Sequence, residues 1–440
     1  MILNNKKRDY NLLLLVIIEI LNIFIMFSFG LDNKIRYALL FLNFIPIIMC
    51  KKDKMIPTLF FVQTNAGLYD DLGFLWLFNI SILIIALRKV FVYREKIEKK
   101  LAFLFSLIAF YELVMLLFNY TNLLQFFSFI SWVSSYILLI TSIESEKDSF
   151  TLIYKYFSIG FIFSFLCGLA YPISIWGFNW PTAFRYVGML RDANYYSMNA
   201  LLIIFGAGTY EKLTKKNSII FIVLFSVLGF VSISKMFILV LLAGLIIRFL
   251  VVRDKKISFS KTIVFFLVIL VSIIAVYKTG LGNLIYEKYI YRSERTSFLT
   301  GRDDIQKYYI KKMYDEPSVL LLGRSTNYSQ VLGLGEDGNN VAFKNFVSHN
   351  TILDCFLSWG IIGTIVYLLF IINIFQKYKI HSSKKNENEF VCIIIVFFAM
   401  LFALSLLMND AFAIFLLYLN ILRNIPFNDE LKKGDENEKI

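Results

Sequence analysis

His349 is one of two histidines in a chain of 440 residues, and it stands in Ser348-His349-Asn350-Thr351, at the head of a long apolar run. An imidazole titrates near neutral pH and can take a proton from a hydroxyl group, so His349 is a candidate general base. Taken alone, a loop histidine is more often structural than catalytic, and its company decides between the two readings. That company is arginine: Arg185, Arg191, Arg292, Arg295, Arg302 and Arg324, with Lys235, lie in polar stretches between apolar runs. A guanidinium stays charged at every relevant pH and grips phosphate through a planar fork, so as a set these residues look like an anion site. Each also has a plainer reading. Any one arginine can be a surface charge, Lys235 can hold a turn at a membrane interface, and Asp192 can cap the helix that follows it. No His, Cys or carboxylate cluster stands at metal-ligand spacing, so we expect neither a metal nor another cofactor.

The elements that position these residues are written in the composition. Of the chain, 58% is hydrophobic, 17% aromatic and only 18% charged, and mean hydropathy is +0.66. A soluble domain carries about 25% charged residues. The apolar excess comes in runs such as Leu12–Phe29, Leu101–Phe118, Leu123–Thr141, Phe150–Ala170, Thr262–Tyr277 and Thr351–Phe375. A helix crosses the hydrocarbon core with about 20 apolar residues, and in lipid such runs must satisfy their own backbone. The alternation of a membrane barrel is absent. We therefore expect an all-α polytopic membrane protein with about 12–14 transmembrane helices. The net charge of +13 follows from basic residues gathering in cytoplasmic loops, and we expect no nucleic-acid partner. Four scattered cysteines, Cys50, Cys167, Cys355 and Cys392, set no disulfide framework. Lys6-Lys7-Arg8 opens an apolar run with no small-residue cleavage site after it, which reads as a retained first span.

Basic turns at Lys51–Lys54, Arg88–Lys100, Lys212–Lys216, Arg253–Lys261 and Lys377–Lys385 alternate with turns such as Asp70-Asp71 and Asn119–Asn122 that hold none. The alternation predicts both termini in the cytoplasm. It divides the chain into residues 1–277 (spans with short loops), 278–349 (a large extracytoplasmic loop), 350–423 (C-terminal spans) and 424–440 (a cytoplasmic tail). It also puts His349 and the arginine set on one outer face. Inside the loop, Ile305, Tyr308, Tyr309 and Met313 recur at helical spacing, with Thr300 as N-cap and Asp303 and Asp304 in the first turn. A helix start beside Arg302 is a natural seat for phosphate. Gly333, Gly335 and Gly338 match no nucleotide-loop pattern and read as turns.

This constellation resembles the O-antigen polymerase and ligase superfamily of bacterial envelope polysaccharide enzymes. Four features carry the resemblance, in order: Arg185…Gly188…Arg191-Asp192-Ala193-Asn194, Ser234-Lys235, Gly301-Arg302, and Ser348-His349-Asn350-Thr351-Ile352-Leu353 followed by Trp359-Gly360-Ile361-Ile362-Gly363. It spans roughly residues 150–420, and the earlier residues match only as membrane spans. Ala193 stands where relatives often have Pro, and Lys235 where many have Arg. The resemblance implies a multi-span, GT-C-like glycosyltransferase bundle with one large extracytoplasmic loop, in the plasma (inner) membrane of a bacterium. It implies inverting, metal-independent transfer from an undecaprenyl-diphosphate-linked oligosaccharide. His349 would activate the acceptor hydroxyl, and Arg302 with Arg185 or Arg191 would hold the leaving diphosphate. Lys235 would assist, with Arg295 in the same diphosphate-binding set. Partners would be the lipid-linked oligosaccharide donor and acceptor, a chain-length regulator and a flippase. A repeat-unit polymerase for capsule, exopolysaccharide or O-antigen is favoured over an O-antigen ligase, because a composition rich in Ile, Lys, Asn and Phe hints at an AT-rich, single-membrane source. From another class, the rival is a flippase or transporter of the same lipid-linked sugar, for which internal repeats and midspan charges are expected. Glu19 and Glu112 are the main midspan acids, and no repeat is visible.

Overall fold

The protein is seen in a computed structural model, which describes residues 9–29, 42, 44–65, 75–118, 123–141, 147–170, 186–190, 192–214, 219–232, 234–251, 302–334, 346–377, 394–396, 398–402, 404 and 410–423. Of these, 86% are helical, and no strand is present among them. In chain order the helices are α1 (Tyr10–Phe29), α2 (Phe44–Met49), α3 (Lys52–Gln63), α4 (Leu75–Leu87), α5 (Lys99–Phe118), α6 (Leu123–Ile140), α7 (Lys147–Ala170) and α8 (Ala193–Thr214). Then come α9 (Ile219–Phe230), α10 (Lys235–Val251), α11 (Arg302–Asp315), α12 (Pro317–Leu322), α13 (Tyr328–Leu332), α14 (Thr351–Lys377) and α15 (Asp410–Arg423).

Three of them are long and apolar enough to cross a membrane: α5, Ser149–Leu169 of α7, and Thr351–Ile374 of α14. Shorter apolar helices run over Tyr10–Ile25, Phe129–Ile140, Ile219–Phe230 and Lys235–Gly244. Their outer faces are as apolar as their inner ones. Leu13, Ile17, Ile20, Leu21 and Phe24 form an exposed stripe on α1, and Ile361, Ile362, Ile365, Leu368, Leu369 and Ile372 form another on α14. A helix that is hydrophobic all round belongs in lipid or in a large core, so this is a membrane protein.

Aromatic side chains fill the interior. Phe105, Trp132, Tyr136, Trp359 and Phe370 pack ring to ring between α5, α6 and α14, and the hydroxyls of Tyr136 and Tyr367 share a hydrogen bond of 2.7 Å. A second group, Phe60, Phe150, Phe157 and Tyr418, joins α3, α7 and α15. At one end of α1, Asp9 accepts from Lys54 at 2.5 Å and from Tyr156 at 2.9 Å, tying the starts of α1 and α3 to the middle of α7.

The segment between α10 and α14 folds onto the bundle through α11, α12 and α13. Ile305, Tyr309, Val319, Tyr328 and Leu332 build a small core with Leu353 and Leu357 of α14. The helical spacing over 305–313 is therefore realised as α11, with Tyr308 and Met313 packed at its edge. Thr300 lies outside the described residues.

The sequence predicts one unbroken run over 351–375, but α14 is interrupted. Gly360 has φ +62° and ψ −170°, a region essentially open only to glycine. The break frees two carbonyls, and the loop fills the gap: the N–H groups of Arg324 and Ser325 donate to Leu357 O at 2.7 Å and Ser358 O at 2.9 Å. Kinks have such local causes, here a glycine and an inserted backbone.

Candidate functional site

Four stretches of the chain meet where α8, α10, α11 and α14 begin. Asp192 caps α8, its Oδ1 accepting the N–H of Asn194 at 2.6 Å and of Tyr195 at 3.3 Å, an arrangement worth about 1 kcal/mol. Ahead of it, Gly188 has φ +55°, and a Cβ there would strike the ring of Tyr196. Asn194 in turn accepts the hydroxyl of Ser234 at 2.9 Å. Ser234 also takes the N–H of Phe237 at 3.4 Å, so the residue before Lys235 caps α10. The Asp192–Asn194 turn and the Ser234-Lys235 turn are thus one hydrogen-bonded unit.

His349 stands across from this unit. Its backbone has φ +55°, uncommon for a residue with a Cβ. The neighbours on either side hold it there. Ser348 donates its hydroxyl to Asp354 Oδ1 at 2.6 Å, and its N–H goes to the hydroxyl of Tyr328 at 2.8 Å. Tyr328 donates to the same Asp354 oxygen, and burial keeps its phenol protonated well beyond the usual range. Gln306 of α11 donates to Ser348 O at 3.3 Å, and Tyr309 to Phe346 O at 2.8 Å. On the other side Asn350 caps α14 through the N–H groups of Ile352 and Leu353, at 3.1 and 3.2 Å. A backbone held in a sparsely populated conformation by its surroundings is a recurring feature of functional sites.

Arg302, the first residue of α11, is half-buried and lies close enough to Asp192 to feel its charge, and His349 feels the charges of both. Burial pushes the imidazole pKa down to about 4, the Arg302 guanidinium pushes the same way, and the Asp192 carboxylate opposes both. The imidazole is therefore neutral at pH 7, the protonation state that a general base requires. Burial also lowers the Arg302 guanidinium from its ordinary value, again opposed by Asp192. The arrangement is a neutral base beside a fixed cation, with one carboxylate to balance the pair.

Lys235 is half-buried at the first position of α10. Arg185, Arg191, Arg292 and Arg295 lie outside the described residues. Arg324 leaves the anion set: its guanidinium bonds Ser318 Oγ at 2.7 Å and Gly323 O at 2.9 Å and faces Glu316 at 3.6 Å. It binds its own loop.

Sequence reasoning missed the supporting roles of four residues. Asp192 reads from sequence as a cap, and it is also the electrostatic partner of His349 and Arg302. Asp354 and Tyr328 fix Ser348, with no local pattern to announce it. Glu112 reads as a midspan acid, yet it accepts the N–H of Thr326 at 3.2 Å, its hydroxyl at 2.5 Å and the indole N–H of Trp359 at 2.8 Å. The one available signal was a carboxylate inside an apolar run. No family model matches this sequence, and no curated protein matches it either.

Proposed function

We propose that this protein is a membrane glycosyltransferase that polymerises undecaprenyl-diphosphate-linked oligosaccharide repeat units on the outer face of a bacterial plasma membrane. The observation that carries the reading is the neutral His349 imidazole set beside the half-buried Arg302 guanidinium, with Asp192 balancing both. A sugar hydroxyl gives its proton to His349 as its oxygen forms a bond to the anomeric carbon of the donor glycan. The bond from that carbon to the diphosphate breaks, its electron pair stays on the diphosphate oxygen, and the anomeric centre inverts. Arg302 faces the charge that develops there, with Arg185 or Arg191, Lys235 and Arg295 as further cations of the same site. Binding of the diphosphate also offsets the guanidinium charge that depresses His349, making the imidazole a better base when substrate is present.

The wider reading is a GT-C-like bundle of about 12–14 spans, with residues 278–349 outside and both termini in the cytoplasm. Its partners are a flippase that supplies repeats and a regulator of chain length. Transfer to another acceptor, as in an O-antigen ligase, uses the same groups. A flippase or transporter is the second reading, favoured by the buried Glu19 carboxylate on α1. Purified protein in lipid, given a synthetic undecaprenyl-diphosphate repeat, separates them: glycan ladders and released undecaprenyl diphosphate support the transferase, and unchanged donor overturns it.

A further inference from the structure

One group of polar side chains takes no part in the proposed reaction. Glu19 is 2% exposed and sits midway along the twenty residues of α1, about 14 Å from the helix start. Its Oε1 accepts the side-chain N–H of Asn65 at 3.2 Å, and its Oε2 accepts Asn22 Nδ2 at 3.5 Å and the Cys167 thiol at 3.8 Å. Asn22 and Asn65 are themselves sealed in, at 0% and 1% exposure. Each gives its amide N–H to Glu19, and each keeps an amide oxygen, Oδ1, that is buried with no hydrogen-bond partner. Buried polar groups are paired in the great majority of cases, so two orphaned oxygens beside one carboxylate call for a missing positive group. The ion pairs of Lys52, Lys54, Lys89 and Arg324 go to Asp9, Glu95 and Glu316, and none of these four reaches Glu19.

We propose that Glu19, Asn22 and Asn65 form a binding site for one small alkali cation of the sodium class. Counting charges and acceptors decides among the candidates. A proton on Glu19 supplies a single O–H donor and leaves at least one amide oxygen orphaned. A divalent ion leaves a net positive charge among apolar walls, and calcium and magnesium ask for six or more oxygens, usually with several carboxylates or waters. Oxygen-only ligands also disfavour the softer transition metals. One monovalent cation neutralises the single carboxylate and engages both amide oxygens while their N–H groups stay on Glu19. The ligands come from α1 and from the turn that follows α3, and Cys167 of α7 donates to Glu19, so a bound ion ties three helices together. This site is independent of the glycosyl-transfer reading, since none of its residues approaches His349 or Arg302 in the contacts described above.

The test is binding of radioactive sodium to the purified full chain in nanodiscs, with choline chloride holding ionic strength constant. Expected is a saturable uptake of about one sodium per chain, together with a melting midpoint that rises with sodium chloride and not with choline chloride, as mass action requires. Glu19→Gln abolishes both effects, and Asn65→Ala weakens binding about tenfold or more. Should either variant fail to elute as a monodisperse species, the wild-type measurement and Asn22→Ala decide the matter. The proposal is overturned by the absence of saturable sodium binding to folded wild type, which leaves a protonated Glu19 or a buried water. Undiminished binding in Glu19→Gln overturns it equally, because the ion would then sit elsewhere.

Discussion

Trp359 donates its indole N–H to Glu112 Oε2 at 2.8 Å, across 247 positions of sequence. The same carboxylate holds Thr326, so α5, the broken helix α14 and the loop that carries Arg302 meet on one fully buried group. Leaving a buried donor or acceptor unpaired costs about 1–3 kcal/mol. Trp359→Phe keeps an aromatic ring, removes the donor and shrinks a buried side chain, so a loss of at least about 1–3 kcal/mol is expected. Glu112→Ala strands three donors and should cost more. Denaturation midpoints and limited proteolysis between residues 300 and 345 read both effects. If neither variant changes them, the contact contributes nothing to holding the loop.

Two glycines with the same rare backbone sit against each other. Gly323 has φ +74° and ψ −170°, Gly360 has φ +62° and ψ −170°, and a Cβ on either would run into the other segment's backbone. Holding a non-glycine residue in this region costs about 1–3 kcal/mol, and the clash adds to it. Gly360→Ala should therefore destabilise more than Gly363→Ala, whose Cβ meets only the Trp359 side chain. Melting curves of the two variants side by side give the comparison, and equal curves would show that the loop does not press on the break.

The contrast between these glycines and α11 shows what a sequence can reveal. Apolar runs and the spacing of Ile305, Tyr308, Tyr309 and Met313 are local, so the helices and the amphipathic face were legible without coordinates. Asp192 as a cap was equally local. Gly360 lies inside an apolar run that looks continuous, and its break depends on Arg324 and Ser325 arriving from the loop. The partners of Glu112 lie 214 and 247 positions away, beyond any periodicity. For His349 the residue type and position were visible in the sequence. Its burial, its neutral state and the electrostatic pull of Asp192 on it were not, because they arise from α8, α11 and α14 converging.

The charge state of His349 makes its own prediction. An ordinary imidazole titrates near 6.5, and this one is held at about 4, first by burial and then by Arg302. In the unfolded chain the proton binds at the ordinary value, so between pH 6.5 and 4 the unfolded state holds more protons. Stability should accordingly fall as pH drops through that window, and His349→Asn should flatten the fall. The acid limb of kcat/KM reports the free enzyme and should lie well below 6.5. Asp192→Asn should move it lower still, since Asp192 pulls the imidazole upward. A limb at 6.5 in wild type would mean that His349 is solvated or is not the base.

Orientation in the membrane can be read directly. A reporter that fluoresces only in the cytoplasm should be dark when inserted at Asp337 and bright at Lys384, because basic residues crowd the second turn. The reverse pattern would put His349 and Arg302 on the cytoplasmic face and exclude a reaction with flipped, lipid-linked repeats.

Substitutions at His349 and Arg302 separate the transferase from the transporter. A positioned general base contributes about 10²–10⁴-fold in rate, so His349→Ala cells should still make and flip single lipid-linked repeats yet fail to join them. Asparagine at 349 can donate or accept a hydrogen bond but cannot take up the proton, and it should be nearly as inactive as alanine. Removing one charge-stabilising group costs about 10²–10³-fold, so Arg302→Ala should lose the polymer while protein level and membrane insertion persist. Arg302→Lys should recover little, because a point charge does not replace a forked donor. The readout is a gel of glycan lengths beside an assay of which leaflet holds the repeats. Single repeats gathering on the outer leaflet match a lost transferase; repeats gathering on the cytoplasmic leaflet match a lost flippase. A normal ladder from His349→Ala would leave His349 as a loop residue held by Ser348 and Asn350, and the catalytic reading would fall with it.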